Sequence, residues 1–329
     1  MRPFTYVRAS SVADAVGDYA KSPETCFLAG GTNLVDLMKM GVERPARLID
    51  VSHLPLTSIE EHEQGVRIGA MVTNADAANH KLVRTLCPVL SEAMLAGASP
   101  QLRNKATMGG NLLQRTRCYY FYDPSYRECN KRTPGSGCAA KSGYNRIHAI
   151  LGASEQCIAT HPSDMCVALL ALDAVVQVKG PEGERSIKMV DFHRLPGNTP
   201  QIDTNLHPGE LIVAIDIPAL PYAKRFAYIK VRDRNSYAFA LVSAAAIVDL
   251  DEEGAVRRAH IALGGVAHKA WRATKAERAL TGKKPDAANL RAAAEAELAD
   301  AKAYQHNAFK VELARRTIVR AVTTAVGRA

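Results

Sequence analysis

The sequence predicts an α+β protein built from two or three units. Three observations carry this reading: a β-turn-α-β pattern over residues 1–55, a strand, helix and hairpin succession over 56–222, and long apolar strands followed by Ala/Arg-rich helices over 223–329. With 329 residues, 47% hydrophobic and 23% charged, the chain is long and apolar enough to bury a sizeable core.

The first unit starts with a helical stretch, "SVADAVGDYAK", followed by the short strand "CFLA", the turn "GGTNL", the helix "VDLMKMGV" and the strand "ARLIDV". The second opens on the strand "VRIGAMV", then a long helical region from Asn74 to Ala98, then loops that hold most of the cysteines. A helix after "HPSD", the hairpin "AVVQVKGPEGERSIKMVDF" and the strand "ELIVAIDI" complete it. "PALPYAKR" reads as a linker, because its prolines and charges separate two apolar strands. The third unit takes "FAYIKVRD" and "ALVSAAAIVDLDEEGAVRRAHIALGG" as antiparallel strands, with helices beside them.

Composition also excludes functions. No apolar run approaches the roughly 18 residues of a membrane span, since Asp173 interrupts "MCVALLALDAVVQV". "MRPFTYVRASSVADAV" offers no continuous apolar stretch for a secretory signal. The formal charge of +9 is spread along the chain and interleaved with acids, which describes solvated helix surface and not a nucleic-acid footprint.

Chemistry concentrates in loops. In "FLAGGTNLVDLM", Gly30 and Gly31 permit close backbone approach, Thr32 supplies a hydroxyl, and the amides up to Leu34 open a helix. Such a nest suits a pyrophosphate, although a turn capping a helix reads equally well from this stretch alone. Neither a G-x-G-x-x-G fingerprint nor a Walker lysine is present. "RNKATMGGNLLQRT" repeats the pattern with Thr107, Gly109, Gly110 and Asn111, and "THPSDM" places Ser163 and Asp164 at a helix start, where Ser163 is an N-cap candidate. Together the three loops point to a large cofactor with phosphates and a polyhydroxyl chain.

Four of the seven cysteines, Cys118, Cys129, Cys138 and Cys157, fall in one forty-residue window with ten, eight and eighteen residues between them. Zinc usually brings a Cys-x₂₋₄-Cys knuckle, which is missing, and the spacing is not that of ferredoxin runs. Spacing alone leaves an iron–sulfur cluster, zinc and free structural thiols open. Cys26, Cys87 and Cys166 sit in apolar patterns and read as core. The aromatic run Tyr119 to Tyr122 reads first as packing against whatever the four thiols enclose, a place near the large cofactor being the alternative.

"FLAGGTNLVDLMKMG", "GASPQLRNKATMGGNLLQ", "HPSDM", "YIKVRDRNSYAFALVSAAA" and "ALGGVAHKAWR" together resemble the FAD-binding middle subunit of the molybdenum hydroxylases, the xanthine dehydrogenase and aldehyde oxidoreductase family. The resemblance covers essentially the whole chain and is strongest to the branch of three-subunit bacterial aldehyde oxidoreductases exported to the periplasm, whose flavin subunit carries an inserted iron–sulfur loop. It implies a PCMH-type FAD-binding domain of two α/β subdomains (1–55 and 56–222, the insertion at about 115–160), then a CO dehydrogenase flavoprotein C-terminal-like domain (223–329).

By the same resemblance, Ala29, Gly30, Gly31, Thr32, Asn33 and Leu34, with Thr107, Gly110 and Asn111, hold the pyrophosphate and adenosine half of FAD. Asp164 meets the ribityl region, and Lys230 stands near the flavin ring, where a cation favours reduced, anionic flavin. From the sequence Lys230 reads equally as a sheet-edge lysine. A [4Fe-4S] cluster on Cys118, Cys129, Cys138 and Cys157 is implied, with Arg115, Arg117, Lys131 and Arg132 offsetting its charge. The chain itself supplies no catalytic residue, since the redox group is FAD. Molybdenum cofactor and [2Fe-2S] clusters belong to large and small partner subunits, and electrons pass through the small partner to FAD and an external acceptor. Export with a signal-bearing partner implies a periplasmic location, a cytoplasmic one being the alternative. Two rival functions stand beside this: the middle subunit of a 4-hydroxybenzoyl-CoA reductase-like enzyme, and a zinc-stabilised basic binding module.

Overall fold

The computed structural model describes residues 1–22, 24–63, 65–220 and 224–328. Its first sheet is parallel, built from β1 (Thr5–Arg8), β2 (Thr25–Leu28) and β3 (Arg47–Asp50) in the order β1-β3-β2. Parallel pairing requires a crossover. The helices Val12–Tyr19 and Leu34–Lys39 supply these crossovers. Ser11 caps the former by accepting from the Asp14 amide. Strand β1 is not among the elements expected from the sequence, and its mostly exposed residues explain why no apolar alternation marks it.

The second sheet is antiparallel, with β4 (Ile59–His62), β5 (Gly65–Gly69), β6 (Val175–Gly180), β7 (Gly183–Lys188) and β8 (Leu211–Ile217) in the order β4-β5-β8-β6-β7. The single helical region expected over Asn74 to Ala98 is three helices, Asn74–Asn79, Lys81–Leu86 and Pro88–Ala96. His80 breaks the first junction with extended backbone, φ −67° and ψ 137°. Pro88 breaks the second, since a proline opens a helix but does not continue one.

The third sheet, β9 (Phe226–Val231), β10 (Val242–Leu250), β11 (Val256–Gly264) and β12 (Trp271–Arg272), runs antiparallel in the order β12-β11-β10-β9. Strand β10 is buried on both faces. Ala244, Ala246 and Val248 join the core formed with the helices Thr274–Leu280, Ala287–Leu298 and Phe309–Val326. Ala245 and Ile247 point the other way, into the core that contains the helix Asp164–Ala171. The period-2 alternation of strand side chains thus welds this sheet to the first two units. Residues 221–223 of the expected linker, and with them the expected boundary at 222/223, lie outside the described residues. Among the described residues, no helix is long and apolar enough to cross a membrane.

Candidate functional site

A cleft of about 800 Å³ opens where the three units meet. Gly31, Thr32, Asn33, Gly110, Asn111, Asp164 and Lys230 all line it. Ala29, Gly30, Leu34 and Thr107 belong to the same two loops but not to the lining. Thr107 Oγ1 accepts from the Gly110 amide at 3.2 Å and so shapes the second glycine turn from beneath. Gly31 needs its φ of +73°, which glycine adopts without steric cost.

Asn33 has a different task from that of an ordinary cap. Its Oδ1 accepts from the Arg115 amide at 3.0 Å, while its Nδ2 is buried without a protein partner. An orphaned donor in a cleft wall, beside backbone turned for anion contact, fits a phosphate oxygen. Basic residues Lys39, Arg103, Arg117, Lys230 and Arg234 outnumber Asp36, Asp164 and Asp233 along the lining, in keeping with an anionic ligand.

The Asn111 side chain makes three bonds: Oδ1 accepts from Ser163 Oγ and Gln114 Nε2, each at 2.6 Å, and Nδ2 donates one of its two hydrogens to Asn74 Oδ1 at 2.6 Å. It is therefore a brace between the second and third loops. Ser163 both caps the helix Asp164–Ala171 and holds this brace.

Asp164 accepts from Tyr228 Oη at 2.6 Å and from Lys230 Nζ at 2.7 Å. Lys230 lies on the edge strand β9, as its sheet-edge reading has it, yet its side chain is only 4% exposed. Its ammonium also donates to Ala96 O at 3.0 Å, an acceptor it shares with Arg232. Burial and the Asp164 carboxylate together hold the Tyr228 hydroxyl well above its ordinary range, so it stays a neutral donor. Tyr228 and Arg232 carry no local motif, and sequence reasoning missed them. Tyr237 and Phe239 likewise line the cleft without having been foreseen there, and Tyr119 lines it as the second reading of the aromatic run has it.

Beside the cleft, the insertion gathers the buried Cys118, Cys129 and Cys157 with Tyr120 and Phe121, and the half-buried Cys138 packs against them. None is in a disulfide. Cys129 and Cys138 face each other across an antiparallel bridge, closed by a turn in which Gly135 and Gly137 take φ of +85° and +100°. The Ala159 amide points at Cys157 Sγ from 3.4 Å, and His148 Nε2 lies 3.1 Å from Cys118 Sγ. Burial pushes the Cys118 thiol up to about 12 and that of Cys157 to about 11, so a metal must displace their protons to bind. A tetrahedral zinc, at about 2.3 Å from each sulfur, sets thiols only about 3.8 Å apart. Among the described residues, no three of these four sulfurs lie within 4.8 Å of one another.

The bases expected to offset charge are already engaged. Arg115 pairs with Glu43 and with Asp203, the latter at 2.9 Å, Lys131 also pairs with Asp203, and Arg117 bonds Asp36 at 2.8 Å. Arg132 instead clamps main-chain carbonyls of the loop, including Phe121 O at 2.8 Å. Of the other cysteines, Cys87 and Cys166 are buried and Cys26 half-buried.

One ring nitrogen of His161, one of His193 and the Cys166 thiol lie within 4.8 Å of one another. This trio does not suit a metal. His161 Nδ1 accepts from the Ser163 amide at 3.3 Å, which leaves the neutral ring's proton on Nε2 and no free lone pair. Burial holds His161 well below its ordinary range and His193 and His268 at about 4, so all three are neutral in the fold. Below the unfolded value near 6.5 the unfolded chain binds the extra protons. Stability is then expected to fall between pH 6.5 and pH 4 by roughly 1.4 kcal/mol per pH unit for each such ring. Urea midpoints across this range check it; midpoints flat from pH 7 to 5 would contradict it.

Residues 2–220 match the family described as the FAD binding domain in molybdopterin dehydrogenase, and residues 227–325 match the CO dehydrogenase flavoprotein C-terminal domain. The chain belongs to the FAD-binding medium subunits of the molybdenum hydroxylase family. It is 52% identical over 331 residues to the aldehyde oxidoreductase FAD-binding subunit PaoB of Escherichia coli (strain K12), covering 100% of both chains. It is 31% identical to the 6-hydroxypseudooxynicotine dehydrogenase complex subunit alpha of Paenarthrobacter nicotinovorans, over 90% of this chain and 84% of that one. Carbon monoxide dehydrogenase from Hydrogenophaga pseudoflava superposes with a TM-score of 0.78 at 27% identity, covering 100% and 99% of the two chains. An oxidoreductase subunit with an FAD-binding domain replaces the zinc-stabilised binding module as a reading.

Proposed function

We propose that this chain is the electron-transfer flavoprotein of a heterotrimeric, molybdenum-dependent aldehyde oxidoreductase. Its cleft holds FAD and its inserted loop a [4Fe-4S] cluster on Cys118, Cys129, Cys138 and Cys157. The observation that carries the second half is the gathering of four unbridged thiols, three buried and that of Cys138 half-buried, no three of them within 4.8 Å of one another. When bound, FAD supplies two-electron chemistry coupled to one-electron centres. The protein's part is to bind and position. The glycine loops and Asn33 Nδ2 would take the phosphates, Asp164 would meet the ribityl chain, and Lys230, paired with Asp164, would stand in the wall near the ring. Aldehyde oxidation belongs to a large molybdenum subunit, with a small [2Fe-2S] subunit passing electrons inward and an external acceptor removing them. Similarity to an aldehyde oxidoreductase subunit over the full chain favours this over a 4-hydroxybenzoyl-CoA reductase-like role.

Purified complex is expected to release one FAD per chain with heat or acid, and to contain iron and acid-labile sulfide with negligible zinc. It should fractionate with the periplasm, carried there folded by a signal-bearing partner. Stoichiometric zinc would defeat the cluster, and a purely cytoplasmic location would defeat the export reading alone.

A further inference from the structure

The segment 193–205 joins the two cofactor sites. It is an irregular loop closed at its base, where Arg194 N donates to Asp203 O at 2.9 Å and His193 pairs with Thr204 in an antiparallel bridge. One face of that base serves the flavin cleft. His193 Nε2 donates to Leu112 O at 2.8 Å, at the end of the short helix Met108–Leu112 that carries Gly110 and Asn111. The other face serves the cysteine loop. Asp203 is the shared acceptor of Lys131 and Arg115, and Lys131, which lies between Cys129 and Cys138, also donates to Pro200 O at 2.8 Å. The Lys131 side chain is 1% exposed, so this anchor is internal.

His193 and Asp203 therefore sit on adjacent rungs of one small ladder. Arg115 adds a second route, because its amide donates to Asn33 Oδ1 in the first glycine loop while its guanidinium holds Asp203. Lys131 and Arg115 thus tie the cysteine loop, through Asp203 and Asn33, to both walls of the cleft.

We propose that the 193–205 segment couples the sites energetically, so that occupation of the cysteine loop raises flavin affinity and flavin stabilises the loop in return, as linkage requires. Asp203 and His193 are its positioning residues. The inference rests on the reading of the four cysteines as an iron–sulfur site.

The test measures flavin dissociation in the purified complex, before and after iron is stripped with a chelator, for wild type, Asp203→Asn and His193→Leu. Leucine fills the buried site but removes the donor to Leu112 O. Stripping is expected to weaken flavin binding about tenfold in wild type, within the usual range for coupled sites, and less than twofold in either variant. A structural defect alone would weaken binding in both iron states and leave the ratio at its wild-type value. An unchanged ratio in both variants, or a wild-type ratio of one in iron-bearing protein, overturns the coupling alone. Wild-type protein that never carried iron overturns both the cluster and the coupling.

Discussion

Cys129→Ser or Cys138→Ser is expected to remove most iron and acid-labile sulfide from the purified complex and to open residues 115–160 to protease. The two thiols close one turn: Asn130 N donates to Gly137 O at 2.7 Å, Ala139 N to Glu128 O at 2.9 Å, and Ser136 Oγ accepts from Cys129 N at 3.0 Å. Within that insertion the only helix among the described residues is the four-residue Tyr119–Tyr122, so little regular structure holds it. Its apolar support is small, chiefly Tyr120, Phe121, Ile158 and the cysteines themselves. Where a loop lacks a core of its own, the free energy of metal binding is the free energy of ordering. Serine keeps the size of the side chain and removes the soft ligand, so the effect reads ligation and not packing. Iron and sulfide assays with limited proteolysis check it. Unaltered iron in both variants would show that these cysteines are not ligands.

Much of the cleft was legible because its signals are local. Thr32, Asn33, Gly110 and Asp164 lie within a few residues of a helix start, and paired glycines with hydroxyl or amide side chains mark such starts in sequence. Tyr228 and Asp203 were not legible, because each acts across the fold. Tyr228 meets Asp164 over 64 residues of sequence, and Asp203 meets Lys131 over 72. No periodicity reports a pair like that. The acid partners of Arg115 and Arg117 stayed hidden for the same reason, so bases that read as counter-charge for a cluster turn out to be internal ion pairs. Lys230 lies on an edge strand, as one of its sequence readings has it, and its side chain is nonetheless buried in the cleft lining. The breaks at His80 and Pro88 lay under an apolar pattern that runs through them, and only the proline was visible in the text of the chain.

Gly30→Val is expected to give flavin-free protein with a clearly lowered melting temperature. A Cβ at this position would sit 1.9 Å from Lys105 O, 2.9 Å from Lys105 C and 3.3 Å from Ala106 Cα. All three atoms are backbone, so no rotamer change relieves the overlap. Here the two glycine loops touch each other; the sequence expected Gly30 to touch the ligand, and the structure gives it the task of letting the second loop close on the first. Any side chain must push the segment before Thr107 outward, which widens the phosphate end of the cleft. Overpacking usually costs about 1–3 kcal/mol, and a backbone overlap this deep belongs at or above the top of that range. Gly31→Ala and Gly110→Ala calibrate the result. Gly31 has φ +73°, so alanine there costs about 1 kcal/mol of backbone strain, while a Cβ on Gly110 meets only Thr107 Oγ1, at 2.9 Å. The flavin-to-protein absorbance ratio should therefore fall far more for Gly30→Val than for either alanine variant, in step with the loss in melting temperature. Full flavin occupancy in Gly30→Val would mean that the two loops need not touch for the cofactor to bind, and the contact between residues 30 and 105 would lose its role in building the site.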